Sequence, residues 1–495
     1  MTYKKEEQDS MSKRFSARNC VTISCEQQSV TGSCEMLTYS DTFGEKKHTL
    51  IDCGIFQGRD EDTSLNDEFR VIKDIEKIDN VLVTHSHVDH CGRLPLLGKM
   101  GFSGQILASN AAKTLMKPAI LDTYKIEKLR WQKQGVPQKW NDVDMIKVFT
   151  KIRGVEYYHP INLCENAAIT LIPNGHMVGA SQILFQLKEN GYDDVNILFT
   201  GDYNNQNLFF DVPHIPQHIL NLPITIVTES TYGSSKTSET EANTQFEDNI
   251  AETLQNGGRV CICALAQERT ELVLYRLKRM QQTGLINSDI PIVLDGNLSK
   301  TYLSLYSKVD LGIKETMKDF IPENFRVVAD GEDRQSIIAD TKPIIIVTSS
   351  GMGSNGPAPE YILKFMRNKN NLIQFTSYLP EGTAGRILQN AVKEKAKVIT
   401  VFGRIVEAPI CKIGFSTEFS SHAKADILME NINQFKRVKS IVITHGSSEK
   451  KQAFAEYLMS KLHNGLDGKC PPLFDLNCNN ILRIYSDGVG KVIRY

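Results

Sequence analysis

The sequence is short of several things, and each shortage excludes something. No apolar run approaches the ~20 residues that a bilayer span needs; Ile344 to Val347 is typical of the longest. No membrane partner is expected. The first residues carry Lys4, Lys5, Glu6, Glu7 and Asp9 where a secretory signal would have its apolar core. An excess of charge is missing too: 57 Lys and Arg against 58 Asp and Glu leave −1. A nucleic-acid partner therefore draws no support from bulk charge, and any basic surface must be local. The 11 cysteines form no C-x-x-C pair. Cys261 and Cys263 alternate in a strand-like run and read as core. Together these features predict a reduced, intracellular protein. What remains is ordinary for a globular chain, 41% apolar and 23% charged. Its 495 residues predict two domains, each with its own core.

The densest chemistry lies in Val81 to Gly92, Val-Leu-Val-Thr-His-Ser-His-Val-Asp-His-Cys-Gly. Val81 to Thr84 reads as a buried strand. Four ligand-type residues follow it: His85, His87, Asp89 and His90. Residues two apart in an extended segment point the same way, so His85 and His87 can reach one ion. Asp89 is a good N-cap type, and with His90 it sits where a helix begins. The pattern predicts half of a two-metal site, more readily than a polar surface loop. Nitrogen and oxygen ligands without thiolate suit zinc, with manganese or iron as substitutes.

Residues 1–18 are polar and aperiodic and read as a mobile arm. Strand-like runs follow at Val21 to Ser24, Cys34 to Tyr39 and His48 to Cys53, the last delivering Asp52. Alone, Asp52 is as readily a turn aspartate before glycine as a functional one. Leu94 to Lys99 and Ser109 to Arg130 read as helical. The Lys-rich stretch 125–153, with Trp131 and Trp140, reads as a solvated helical face more readily than as a lid or a nucleic-acid contact. His176 lies in a loop between two strands, and Asn196 to Thr200 delivers Asp202. Pro213 to Pro223 reads as a domain crossing. Alternating strands and helices then predict a mostly parallel sheet. Two glycine-rich loops interrupt it, Ser349 to Gly356 and Pro380 to Arg386. Such loops hold phosphate on exposed N–H groups, which makes Ser349, Ser350 and Arg386 candidates; a plain turn is the default. His422 precedes a helix, His445 ends a strand, and Asn479 to Tyr495 reads as a closing hairpin. Of 11 histidines, those at 85, 87, 90, 176, 422 and 445 sit at strand ends or in Gly/Ser-rich loops, whereas 48, 159, 214, 218 and 463 do not.

H-x-H-x-D-H after a strand resembles the central signature of the metallo-β-lactamase fold. With Thr228-Glu229-Ser230-Thr231-Tyr232-Gly233 as motif A, His422 as motif B and His445 as motif C, the resemblance narrows to the β-CASP nucleases and covers nearly the whole chain after residue 20. Val30-Thr31-Gly32-Ser33, Asp52-Cys53-Gly54-Ile55-Phe56-Gln57-Gly58 and Gly382 to Arg386 resemble the short prokaryotic branch of RNA-metabolising members. Two positions depart from the family pattern. Lys424 and Ser447 stand where many members carry acids.

The resemblance implies an α/β architecture: a metallo-β-lactamase αββα sandwich over 19–212 and 389–495, with an inserted β-CASP domain of mostly parallel sheet over 213–388. It implies two zinc ions, one on His85, His87 and His176 and one on Asp89, His90 and His445, bridged by Asp202. Asp52 would orient ligands from behind. Asp89, Glu229 and His422 carry the implied catalytic roles, with His422 as the acid and Glu229 holding it. The implied reaction is hydrolysis of single-stranded RNA by a hydroxide shared between two metals, internally or also from the 5′ end. The implied setting is cytoplasmic, and a homodimer is compatible with it. Two alternatives stay open: a small-molecule ester or thioester metallohydrolase, and an inactive RNA-binding scaffold.

Overall fold

The computed structural model describes residues 20–27, 30–57, 63–188, 193–237, 245–416, 418–463 and 468–494. The expected mobile arm, 1–18, lies outside them. The described residues form two compact units. One holds the chain up to Asn207, Asp211–Thr237 and the part from His422 onward; the other holds Leu208–Phe210 and 245–421.

The first unit is built on two mixed sheets. In the eight-stranded sheet the central order is Val21–Cys25, Glu35–Ser40, Lys46–Ile51, Asn80–Leu82, Gln105–Ser109 and Ile152–Val155, with the C-terminal hairpin Asn480–Tyr485 and Gly488–Arg494 on the other edge. Glu35–Ser40 alternates buried and half-buried side chains, as a strand with one core face must. The seven-stranded sheet centres on Val195–Phe199, Pro223–Thr228 and Arg437–Ile443, which run parallel to one another. Leu37, Ile51, Leu82, Phe185, Ile197 and Val442 belong to the apolar layer between the sheets. The outer face of the eight-stranded sheet packs on Leu94–Lys99, Asn110–Gln134 and Asp142–Phe149. That of the other sheet packs on Ala425–Gln434 and Ser448–Lys461. This is the αββα sandwich. Trp131 and Trp140 are buried in the helical layer at 2% and 3% exposure, so neither offers a face to nucleic acid. The helix Asn110–Gln134 starts where the Ser109 hydroxyl accepts the Ala112 N–H, and stops at Gly135, whose φ of 65° suits glycine.

The second unit holds a six-stranded, wholly parallel sheet in the order Phe325–Val327, Ile292–Asp295, Ile345–Thr348, Val260–Cys263, Leu372–Phe375, Lys412–Phe415. Its four inner strands are buried at every position. That explains their unbroken apolar runs, because helices cover both faces of a parallel sheet. Cys261 and Cys263 are core residues, and all 11 cysteines are free thiols.

The expected insertion limits, 213 and 388, differ from the observed ones. Pro213 to Pro223 is no crossing: it leads into Pro223–Thr228, which pairs with both Val195–Phe199 and Arg437–Ile443 in the first unit. The chain leaves after Thr237 and returns at His422. Prolines mark an irregular segment, but strand partners 200 residues apart decide which sheet it enters. No helix among the described residues is long and apolar enough to cross a membrane.

Candidate metal centre

Parallel neighbours end side by side, so residues just past their C-termini converge. Asp202, Glu229 and His445 follow Val195–Phe199, Pro223–Thr228 and Arg437–Ile443, three adjacent parallel strands. On the facing sheet, Lys46–Ile51 and Asn80–Leu82 are parallel neighbours that end just before Asp52 and His85. His176 enters from the turn between Ala167–Pro173 and Ser181–Leu187.

The side chains meet as follows. His85 Nε2 and His176 Nε2 each lie 3.1 Å from His87 Nδ1. Asp202 Oδ2 stands 3.7 Å from His85 Nε2 and 3.6 Å from His176 Nε2. The same oxygen is 3.3 Å from His90 Nε2, while Asp202 Oδ1 is 3.3 Å from His445 Nε2. Asp89 Oδ2 lies 3.9 Å from His90 Nε2. Three overlapping ligand groups result: His85, His87, His176 and Asp202 on one side, Asp89, His90 and His445 on the other, and Asp202, Glu229 and His445 between them and the dyad. Asp202 reaches both sides.

These separations suit a cation. Tetrahedral ligands at ~2.1 Å from zinc stand ~3.4 Å apart. His90 Nε2, His445 Nε2 and Asp202 Oδ1 are buried and in no well-directed hydrogen bond; a cation among them would satisfy all three, and without one His90, against its burial, is raised well above the ordinary histidine range by Asp202 and Asp52. Burial pushes His85 and His176 well below the ordinary histidine range and His87 to about 4. A neutral imidazole is the form that binds metal. Asp202 is held well down, against its burial, by His445 and His90.

The surrounding shell sets the ring orientations. Asp52 accepts from the Thr84 N–H at 2.7 Å and the Thr84 hydroxyl at 2.8 Å, and its Oδ2 lies 2.6 Å from His90 Nδ1. With Nδ1 so engaged, Nε2 of His90 presents its lone pair to the site. Asp52 holds φ at 61°, a constraint that its hydrogen bonds stabilise. Sequence reasoning missed four supporting residues. The Thr84 hydroxyl also meets His85 Nδ1 at 3.1 Å. Thr231 Oγ1 meets His445 Nδ1 at 3.1 Å. Asn174 donates to the carbonyls of Thr200 and Asp202 and accepts the His176 N–H, tying two ligand loops together. Arg93, 2% exposed, lies between the Phe56 and Phe69 rings and donates to the Gly54 and Leu65 carbonyls. Threonine, asparagine and arginine carry no spacing signal of their own. All four lie close in sequence to a recognised ligand or motif, Thr84 before His85, Arg93 after His90, Asn174 before His176 and Thr231 after Glu229, but nearness alone does not show what a side chain will touch.

Arg93 fastens a backbone clamp. The Cys53 N–H donates to the His90 carbonyl, the Ile55 N–H to the Val88 carbonyl, and the Ser33 N–H to the Asp89 carbonyl. At Gly54 a Cβ would lie 1.5 Å from the Asp89 carbonyl, so only glycine fits. Asp89 is not the N-cap that its residue type predicted. The helix is Val88–Cys91 with His87 at the cap position, because the clamp needs the Asp89 backbone inside the turn.

Beside the cluster stands a dyad. His422 Nδ1 is 3.1 Å from Glu229 Oε2, and His422 Nε2 is 3.7 Å from Asp202 Oδ2. Burial works to lower His422, but Glu229 and Asp202 outweigh it and raise it to about 9. Ser349, Ser350 and Arg386 lie in the second unit. The two loops that carry them meet, Gly385 N–H donating to the Met352 carbonyl and Ala384 N–H to the Ser354 hydroxyl. Arg386 itself bonds Gln389 and lies over Tyr378. Of the two departures, Lys424 occupies the N-cap position of Ala425–Gln434, and the Ser447 hydroxyl caps Ser448–Lys461.

Family models match a metallo-beta-lactamase superfamily domain over 43–208, a Beta-Casp domain over 270–388 and a Zn-dependent metallo-hydrolase RNA specificity domain over 411–467. The chain belongs to the β-CASP family of the metallo-β-lactamase superfamily. The family implies a divalent metal, which the buried His/Asp cluster fits. Similar proteins include transcription termination factor FttA of Methanosarcina mazei, 27% identical over 83% of this chain. FttA of Pyrococcus horikoshii is 29% identical over 82%. An RNase J-like protein of Methanocaldococcus jannaschii is 27% identical over 86%. The chain spans 65% and 63% of the two FttA proteins and 93% of the RNase J-like protein.

Proposed function

We propose that the chain is a zinc-dependent ribonuclease that hydrolyses phosphodiester bonds of single-stranded RNA. The observation that carries this is the His422–Glu229 dyad beside the ligand cluster, with Nε2 of His422 facing Asp202. A metal site alone serves many hydrolases. A charged imidazole at its edge serves a reaction whose leaving oxygen needs a proton. The RNase J-like relative and the RNA specificity model support RNA as substrate.

Divalent metal held by His85, His87, His176 and Asp202 and by Asp89, His90 and His445 would supply Lewis acidity, drawing the pKa of water to near ~7 and neutralising phosphate charge. The chain's own residues do the rest. Asp202 faces both groups, its Oδ2 near His85, His176 and His90 and its Oδ1 near His445. Asp52, Thr84 and Thr231 hold the imidazoles of His90, His85 and His445 with the correct nitrogen inward. Glu229 is fixed by the N–H groups of Tyr203 and Thr231 and accepts from His422 Nδ1. His422 then donates the Nε2 proton to the departing oxygen.

The test is a time course on single-stranded RNA labelled at each end, with zinc. His422→Ala should keep its metal and lose cleavage by ~10²-fold or more. Loss of metal, or full activity, would remove the acid role. Internal fragments at early times mean an endonuclease; early release of the 5′ mononucleotide alone means a 5′ exonuclease.

A further inference from the structure

The chain leaves the first unit after Thr237 and re-enters it at His422. The proposed acid is therefore the first residue of the returning segment. Its partner Glu229 opens the outgoing one, just past the strand Pro223–Thr228. Both members of the dyad ride on connections rather than inside strands, so their 3.1 Å contact needs one segment fixed against the other. The two segments are stitched along their length. The Tyr232 and Lys424 backbones form an isolated parallel bridge. The Ala425 N–H donates to the Ser235 carbonyl at 2.9 Å. Asp426 closes the seam: its Oδ2 accepts the Thr237 N–H at 3.0 Å and its Oδ1 the Thr237 hydroxyl at 3.1 Å. Thr237 is the final residue of the outgoing segment in the first unit. At its other end the seam runs into the dyad. The Ala423 N–H donates to the Tyr203 carbonyl, and the Tyr203 N–H to Glu229 Oε1.

An acid on the first turn of a helix has an ordinary explanation, because it suits the helix dipole, and Asp426 lies on the first turn of Ala425–Gln434. That account does not explain where its oxygens point. Both go to one residue, 189 positions away in sequence, and take its backbone and its side-chain donor together. A charged acceptor gripping two donors fixes direction as well as distance. The seam is thus closed at one end by this grip and at the other by the hydrogen bond between His422 and Glu229.

We propose that Asp426, through its two-point grip on Thr237, is a positioning residue for the reaction: it holds the outgoing and returning segments in the register that sets His422 against Glu229. This rests on the ribonuclease reading. The step it serves is the one in which the P–O bond breaks, the electron pair stays with the departing oxygen, and the Nε2 proton of His422 passes to that oxygen. Proton transfer needs donor and acceptor within about 3 Å, so a small slip between the segments costs rate without unfolding the chain.

The experiment uses the full zinc-loaded chain. On single-stranded RNA, Asp426→Ala should lower kcat about tenfold and leave KM within about twofold. Its zinc content should match the parent's. Thr237→Val, which removes one of the two bonds, should cost about threefold, and Thr237→Ser, which keeps both, should stay within about twofold of the parent. Adding Thr237→Val to Asp426→Ala should cost nothing further, because the two residues form one contact. The deciding substrate carries sulfur in place of a bridging oxygen at one linkage, on the 3′ side in one preparation and the 5′ side in another. A departing thiolate needs no proton, so the deficit of Asp426→Ala should vanish on the version in which sulfur leaves. A deficit that persists on both versions overturns the proposal, as does a loss of zinc or a kcat equal to the parent's. Nitrogen NMR of the histidine rings reads the dyad without RNA, with His422→Gln to assign the signal. Asp426→Ala should shift the His422 Nδ1 resonance and Thr237→Ser should leave it in place; a resonance unmoved in Asp426→Ala also overturns the proposal. If the parent chain cleaves no RNA, the ribonuclease reading fails, while the resonance still decides whether Asp426 holds the dyad.

Discussion

The two sides of the metal centre are built differently. His85, His87 and His176 are neutral imidazoles with ring nitrogens 3.1 Å apart, and only Asp202 adds a charge. Two of the three come from one extended turn. The side formed by Asp89, His90 and His445 depends on parts of the chain far removed from one another. Asp52 orients His90, Thr231 orients His445, and residues 53–55, pinned by Arg93, clamp the Asp89 and His90 backbone. A small cavity behind this side is lined by Glu35, Asp52, His90, Asp202 and His445, and by none of the three clustered histidines. Each side takes two ligands from the 85–90 segment and one, His176 or His445, from a distant loop, but the second leans on more supports from elsewhere in the chain. The second should therefore be easier to lose without losing the first.

The largest effect expected is on metal content. Asp89→Ala should leave one tightly held zinc per chain and remove activity by ~10³-fold or more, with two per chain in the parent by elemental analysis. His87→Ala should weaken binding on the other side. If both variants lose both ions together, the two sides are one cooperative unit and the contrast fails.

Next come the supports. Asp52→Asn should lower affinity on the Asp89 side by ~10–100-fold, the range seen when an outer hydrogen-bond partner of a ligand is removed. Arg93→Met keeps the volume between Phe56 and Phe69 but loses the bonds to Gly54 and Leu65. It should weaken the same side less, by ~3–10-fold, and lower stability by ~1–3 kcal/mol. Zinc titration against a chelator reports both. Equal losses on the two sides would mean that the clamp serves the unit as a whole.

A further effect bears on folding stability rather than metal content, and it depends on pH. Burial, with Asp52 adding, pushes Glu35 up to about 8. The native state then keeps a proton that an unfolded glutamate releases near ~4.3. Stability should fall as pH rises between these values and level off above about 8. In metal-free protein, Glu35→Gln should remove a decline on the order of 3–5 kcal/mol across that window. Thermal melts at pH 5 and pH 8 would show it. Parallel curves for parent and variant would mean that Glu35 is charged in the native state.

Much of this was legible in the residues. Local pattern sufficed for the buried strands and the H-x-H-x-D-H turn, where two histidines of one extended segment point the same way, but it misplaced the helix cap assigned to Asp89. Motif spacing sufficed to nominate Asp202, Glu229, His422 and His445. It failed at the unit boundary, because the prolines at 213–223 precede a strand of the first unit. Thr84, Thr231, Asn174 and Arg93 also stayed hidden. Their side chains act on residues that fold against them, and such roles leave no periodicity.

The amino-acid sequence by itself determined the candidate ligand types and the fold that carries them, since side-chain chemistry and strand patterning are local properties. Tertiary structure alone decided which ligands face which and that Asp202 reaches both sides. Those outcomes depend on strands 200 residues apart ending side by side, and only the packed sheets bring their ends together.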